Sequence, residues 1–345
     1  MLDWNLLGDL VAAPGLPGRE KPVAGRIEKA LPPGFEVTVD RLGNLAARRP
    51  GPGPRWMLLA HMDEVGLIVR RITPQGYLLV DRLGGLSLRA LPGSPLTVWT
   101  ESGAGLPALA GTLPAHLDAG AAQSLEQIYL DVRAGSAEEA HARGIQVGDG
   151  VTWASGLQLQ EDALTGKALD DRLGCFVLLS LAQRLAAADV SPTCDLTLAF
   201  SVQEETMLMG GLPLVQAFQP EFLVGVDGTL AFDTPDLLGQ QSDLRLGAGP
   251  ALKWMDAIRG KMAAFVPDLD FARRIRRLAA ERGIPLQDEV VSGISTAITP
   301  LVYGGQGVRA AGLSLPVRYH HTPCEMADRR DVESLVDLLA ALVTG

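Results

Sequence analysis

The stretch DDRLGCFVLLSLAQRLAAADVSPTCDLTLAFSVQEE (residues 170–205) decides the fold class. An acidic pair opens a long helical pattern, and DLTLAFSV (195–202) follows as a strand. That strand runs into Glu204 and Glu205 while still apolar, which leaves the two carboxylates without an obvious solvated face. The alternation continues on the C-terminal side. PLVQAF (213–218) reads as a helix and FLVGVD (222–227) as a strand. DFARRIRRLAAERG (270–283) is an amphipathic helix with arginines on its wet face, and VESLVDLLAALV (332–343) closes the chain. On the N-terminal side, a short helix ends at Pro14 and Gly15, and EKPVAGRIEKAL (20–31) forms a second with Val23, Ile27 and Leu31 on one face. FEVTVD (35–40) and WMLLA (56–60) read as strands. The pattern predicts an α/β protein with a mixed, mostly parallel sheet flanked by helices.

Between these two flanks the character changes. From 67 to 160, short β-like runs such as LIVRRI, PLTVWT and GVTWA alternate with Gly-rich turns, and only AEEAHARG (137–144) looks helical. Neither flank alone supplies enough strands for an independent sheet. The expected organisation is therefore one α/β domain in two segments, 1–66 and 161–345, interrupted by an inserted β-rich domain over 67–160.

Composition limits the function. At about 150 residues per domain, 345 residues suit roughly two domains. Lys and Arg number 30 against 40 Asp and Glu, a formal charge of −10, which argues against nucleic acid or an anionic membrane surface as a partner. No apolar run is long enough for a transmembrane helix, and the first residues lack a secretory charge pattern. Cys175, Cys194 and Cys324 form no CxxC pair and cannot all pair internally, so a cytoplasmic location is expected.

Five segments end in potential metal ligands. WMLLA precedes His61, SLPVRY (314–319) precedes His320 and His321, LAFSVQ precedes Glu204 and Glu205, and FLVGV precedes Asp227. Asp170 and Asp171 follow LTGKAL. In open α/β sheets, sites form beyond the carboxyl ends of the strands, so these groups can converge. The mixed nitrogen and oxygen donors suit Zn, Co or Mn, and two ions sharing one carboxylate use them better than a single tetrahedral ion. Each residue also has an ordinary reading. Asp-Asp before a helix is commonly an N-cap, a single His after a strand is commonly a packed side chain, and adjacent glutamates are commonly a wet face. His61 and Asp63 stand two apart, so on extended chain they share a side, and Asp63 would orient the imidazole.

HMDEVG (61–66), GKALDDRLG (166–174), VQEE (202–205), VDGTLAFDTP (226–235) and RYHHTPCE (318–325) resemble the M42 metalloaminopeptidases, the tetrahedral or TET aminopeptidases. The likeness extends through PGLPGRE (14–20), DRLGN (40–44) and LDVRAGSAEEAHARGIQVGD (130–149). It implies a zinc-peptidase-like catalytic domain, peptide substrates, two divalent ions per subunit and a homo-oligomer, from dimer to dodecamer. By that resemblance His61, Asp170 and Asp227 would hold one ion, and Asp170, Glu205 and His321 the other. Glu204 would be the general base and Asp63 would support His61. The family ligand sits two places after the Arg-Tyr pair, which favours His321 over His320. The insert would serve assembly.

Two departures stand out. SGISTA (292–297) puts Ser295 and Thr296 where the family commonly has Thr-Asp, and Gly228 replaces a usual β-branched residue after Asp227. Gly293 to Ala297 also loosely matches a serine-hydrolase elbow, but lacks its final Gly. Other readings are a dinuclear amidohydrolase acting on N-acylated amino acids or peptides, and a metal-binding scaffold that has lost catalysis. His116 and His141 are expected at the surface, and Cys324 as a packed thiol.

Overall fold

The computed structural model describes residues 2–114, 116, 124–258 and 264–345. The chain starts with helices α1 (Trp4–Ala12) and α2 (Lys21–Ala30), then strands β1 (Glu36–Val39), β2 (Leu45–Arg49) and β3 (Arg55–His61). Next come β4 (Gly66–Ile72), β5 (Leu78–Leu83), β6 (Pro95–Trp99), β7 (Gly105–Ala110), β8 (Tyr129–Asp131), α3 (Ala137–Ala142) and β9 (Gly150–Trp153). β10 (Gln158–Gln160) and β11 (Ala163–Gly166) lead to α4 (Leu169–Ala187), β12 (Asp195–Ser201), α5 (Glu204–Met207), α6 (Leu212–Phe218) and β13 (Phe222–Leu230). The remainder holds β14 (Ala251–Ala257), β15 (Ala264–Phe265), α7 (Leu269–Glu281), β16 (Gln287–Ser292), α8 (Ile298–Leu301), β17 (Arg309–Val317), β18 (Glu325–Asp328) and α9 (Arg329–Thr344).

A nine-stranded sheet runs in the order β1-β2-β12-β3-β13-β17-β14-β15, with β16 paired to β14. Its centre, β12-β3-β13-β17, is parallel, whereas β1, β2 and β14 add antiparallel pairs. This is the mixed, mostly parallel sheet expected from the sequence. Both faces are buried, which is why the central strands are apolar throughout. Along β3, Trp56, Leu58 and Ala60 pack with α1, α2, α4, α7 and α9, while Met57 and Leu59 pack with α6 and α8.

Strands β4 to β9 close into a barrel in the order β4-β5-β8-β7-β6-β9. Closure removes free strand edges, and Leu67, Val69, Leu78, Val98, Leu130 and Val151 fill the interior. The barrel leaves the large sheet just after β3, directly beyond His61. A third sheet, β10-β11-β18, pairs Gly166 with Glu325 and thereby sets the approach to Asp170 beside the segment after β17.

Strands β14 and β16 are not legible in the sequence. Lys253, Asp256 and Glu289 are fully buried on them, where strand alternation would place apolar groups. They compensate one another: Lys253 bonds to Glu289, and its Nζ lies 3.4 Å from Asp256. Among the described residues, no helix is long and apolar enough to cross a membrane.

Candidate metal centre

Four neighbouring parallel strands deliver their chemistry at the same edge. His61 is the last residue of β3, aligned with Ser201 of β12, whose chain continues to Glu204 and Glu205. Asp227 lies in β13, aligned with Ser314 of β17, and β17 leads to His320 and His321. Asp170 comes from a different element, the start of α4. There Asp170 and Asp171 have non-helical backbone angles, and the regular helix begins after them.

Asp170 is the centre of the cluster. Its Oδ1 is 3.3 Å from His61 Nε2, and its Oδ2 is 3.2 Å from His321 Nε2. His61 Nε2 is also 3.7 Å from Asp227 Oδ1 and 3.9 Å from Glu204 Oε2. His321 Nε2 is 3.3 Å from Glu205 Oε1. Ligand atoms of His61, Asp170 and Glu205 lie within 4.8 Å of one another. Asp63 Oδ1 stands 3.5 Å from His61 Nδ1. All seven residues singled out in the sequence are therefore brought together.

The donor set fits divalent cations on an internal observation. Glu205 Oε1 is buried without a hydrogen-bond partner, a costly arrangement unless something else satisfies the group. The charges tell the same story. Burial, then the neighbouring carboxylates, pushes Glu204 and Asp227 well above the usual carboxylate range despite the opposing pull of His61. Burial also opposes the charge on Asp170, but His320, His321 and His61 outweigh it and hold its carboxyl well below that range. Buried acids that repel one another this strongly are relieved by cations.

Three carboxylates that the sequence reading assigned no ligand role or only a supporting one hold the site from behind. Asp63 accepts the backbone N–H of Glu204 at 3.0 Å through one oxygen and that of Glu205 at 2.9 Å through the other. Asp171 accepts the N–H of His61 at 3.1 Å and of Gly174 at 2.9 Å. Glu325 accepts the N–H of His321 at 2.7 Å and of Asp170 at 3.1 Å. Each therefore joins backbone from two points of the site. The N-cap reading of the Asp-Asp pair is met by Asp171, while Asp170 faces the imidazoles. A Cβ on Gly174 would lie 2.4 Å from the Asp171 carboxylate, so this helical turn needs a glycine. Asp171 was named only as a potential ligand beside Asp170, and Glu325 was not singled out as a site residue. The available signal was their placement, one beside Asp170 and the other four residues after His321.

The segment carrying both histidines is anchored by Arg318. Its guanidinium makes two bonds to Asp233, each 2.7 Å long. Burial opposes the charge, but the Arg318 bonds and the Leu246 N–H hold the Asp233 carboxyl below the usual range. Its stabilising contribution is thus fully present above about pH 4 and is lost as pH falls through the depressed folded value. Asp233→Asn is expected to cost about 1.5–3 kcal/mol at pH 7. In urea titrations the gap from wild type should close below pH 4; a gap independent of pH would show that the ion pair does not contribute.

A cavity of about 670 Å³ opens onto the cluster. Besides cluster residues it is lined by Met207, Leu208, Ile258, Ile294, Ser295 and Thr296. Thr296 donates to buried Asp256 at 3.0 Å, and Ser295 Oγ pairs with Thr299 Oγ1 at 2.9 Å. Ser295 is thus bonded to a hydroxyl instead of an imidazole base, which removes the support for a serine-hydrolase elbow. His116 is exposed, and His141 Nδ1 pairs with the Ile145 carbonyl. Cys324 is exposed, contrary to the packed thiol expected, because it sits on the turn between β17 and β18.

Imidazoles and carboxylates gathered at the carboxyl edge of a parallel sheet, beside an open cavity, form a candidate metal centre of the kind a metal-dependent hydrolase uses. Residues 43–338 match the family described as M42 glutamyl aminopeptidase, and the chain belongs to that family as a peptide hydrolase. It is 32% identical to the lysyl aminopeptidase of Pyrococcus furiosus, over 99% of this chain and 97% of that protein. Among solved structures, aminopeptidase APDkam598 of Desulfurococcus kamchatkensis superposes with a TM-score of 0.94 at 30% identity, covering 99% of this chain and 96% of that one. The TET1 peptidase of Pyrococcus horikoshii, described as assembling into a tetrahedron or a large octahedral shell, gives 0.85 at 28% identity, covering 99% and 98%.

Proposed function

We propose that the protein is an aminopeptidase that removes N-terminal residues from peptides using two divalent ions and Glu204 as general base. His61, Asp170 and Asp227 would hold one ion, and Asp170, Glu205 and His321 the other. The observation that carries this reading is Asp170, whose two oxygens face different imidazoles. Bound ions would supply an acidified water and charge stabilisation for the scissile carbonyl oxygen. Glu204 projects from the same edge and is buried, with a carboxyl pushed above its usual range. A carboxylate beside the acidified water would take its proton and return it to the departing amine. Asp63 acts through others: it faces His61 Nδ1 and fixes the backbone of Glu204 and Glu205. The nitrogen and oxygen donors suit zinc, with cobalt or manganese as substitutes.

The chain divides functionally into a catalytic domain of 1–66 and 161–345 and an assembly domain of 67–160. The latter contains the barrel, whose Leu109, Leu113 and Tyr129 are exposed apolar groups suited to contacts between subunits. The assembly of the related TET1 peptidase supports a homo-oligomer. The net charge of −10 and the three free cysteines support a cytoplasmic location without nucleic-acid or membrane partners.

A panel of fluorogenic aminoacyl amides, free and N-acetylated, tests the reading. Chelation should abolish hydrolysis of the free forms, and Zn, Co or Mn should restore it. Hydrolysis confined to the acetylated forms would instead make the protein a deacylating amidohydrolase. No hydrolysis under any metal would leave a binding scaffold.

A further inference from the structure

We infer that His320 is an additional metal ligand, making a third imidazole at the centre, and that Gly228 is the residue that admits it. This inference rests on the two-ion reading above. The glycine after Asp227, a departure in the sequence, and the histidine passed over in favour of His321 turn out to be one contact. A Cβ built on Gly228 would lie 2.9 Å from His320 Nε2, and 3.1 Å from Asp170 Oδ1. Any side chain at 228 would therefore occupy the space used by the ring.

The other ring nitrogen faces the cluster. His320 Nδ1 is 3.5 Å from Asp170 Oδ2, yet the two are not aligned as a hydrogen bond. That separation matches two donors on one tetrahedral ion, which at metal–ligand distances of about 2.0–2.1 Å stand roughly 3.3–3.5 Å apart. His321 Nε2 to Asp170 Oδ2, at 3.2 Å, and to Glu205 Oε1, at 3.3 Å, have the same spacing. Ligand atoms of Asp170, His320 and His321 all lie within 4.8 Å of one another. His320 would thus join Asp170 and His321 on the ion that those two share.

Packing alone does not account for an imidazole here. The ring stacks against His321 with centroids 4.9 Å apart, a contact an apolar side chain makes equally well. As a histidine it buries Nε2 without any partner. A metal bond at Nδ1 would fix the proton on Nε2, the nitrogen that points at Gly228. A second nitrogen on this ion would also favour zinc and cobalt over manganese.

The test is a Co²⁺ titration of chelator-treated wild type, His320→Phe and His320→Leu, followed by calorimetry, visible absorption and proton NMR. Phe keeps the ring stack and removes the nitrogens. Wild type should bind two ions and show three paramagnetically shifted imidazole N–H signals, from His61, His320 and His321. His320→Phe should show two such signals, keep one ion at wild-type affinity and bind the other about 10–100-fold more weakly. Thermal melts of the metal-free proteins identify a variant that has failed to fold, and the wild-type signal count decides the matter without any variant. Two shifted signals in wild type, or unchanged affinities in His320→Phe, would overturn the inference and leave the two-ion reading standing. A wild type that binds no ion would overturn both.

Discussion

Glu204→Gln is expected to lower kcat/KM for an aminoacyl amide by about 10²–10⁴-fold, the usual contribution of a general base. Gln keeps the volume and one acceptor oxygen but cannot take a proton. The backbone of residue 204 is held by its own N–H bond to Asp63, which the substitution leaves intact. Neither side-chain oxygen is needed for the proposed ligand sets, so metal content by elemental analysis should match wild type. Glu205→Gln is the contrasting variant. Glu205 Oε1 lies 3.3 Å from His321 Nε2, and its loss should cost one of two ions along with activity. Wild-type turnover in Glu204→Gln would remove the residue from the role of base. Loss of metal in that variant would make it a ligand instead.

The largest effect on stability is expected from Glu64→Gln, about 3–5 kcal/mol in urea denaturation. Glu64 is fully buried and accepts from Lys167 Nζ at 2.8 and 2.6 Å, from Arg172 Nη2 at 3.4 Å and from the Gly15 N–H at 3.2 Å. Arg172 also bonds the carbonyls of Met62 and Ala13 at 3.0 Å each. The cluster therefore ties the segment after β3, the approach to α4 and the chain after α1 into one buried knot. Removing the anion strands two cations, of which Lys167 can shed its proton and Arg172 cannot. The double variant Glu64→Gln with Lys167→Met should recover part of the loss, since only one buried cation then lacks its partner. A loss below about 1 kcal/mol in Glu64→Gln, the scale of an exposed pair, would mean that water reaches the cluster.

Much of the site was legible because its residues mark the ends of strongly apolar strands. WMLLA before His61 is buried on both faces and β3 stops there, so His61 is a site residue by position. Asp227 was reached by the same reasoning, although β13 continues through it to Leu230. The same logic failed on β14 and β16. Lys253, Asp256 and Glu289 lie within those strands, where Lys253 pairs with Glu289 across the sheet and Asp256 is also bonded by Thr296. The cross-strand part of that partnership leaves no trace in a single strand read in isolation. Gly228 is a similar case: as a residue it is uninterpretable, and beside His320 it becomes a space.

The sequence by itself determined the alternation of strand and helix, the interruption by a β-rich segment and the identity of the groups available for a metal. These are local properties, set by side-chain periodicity and by what lies at each strand end. Only the tertiary structure decided that Asp170 divides its oxygens between His61 and His321, and that Asp171 and Glu325 fasten the backbone behind them. It alone also decided that His320 turns toward the cluster. Those relations join residues more than a hundred positions apart, so they depend on strand register and on the docking of α4 against the sheet, which no local pattern contains.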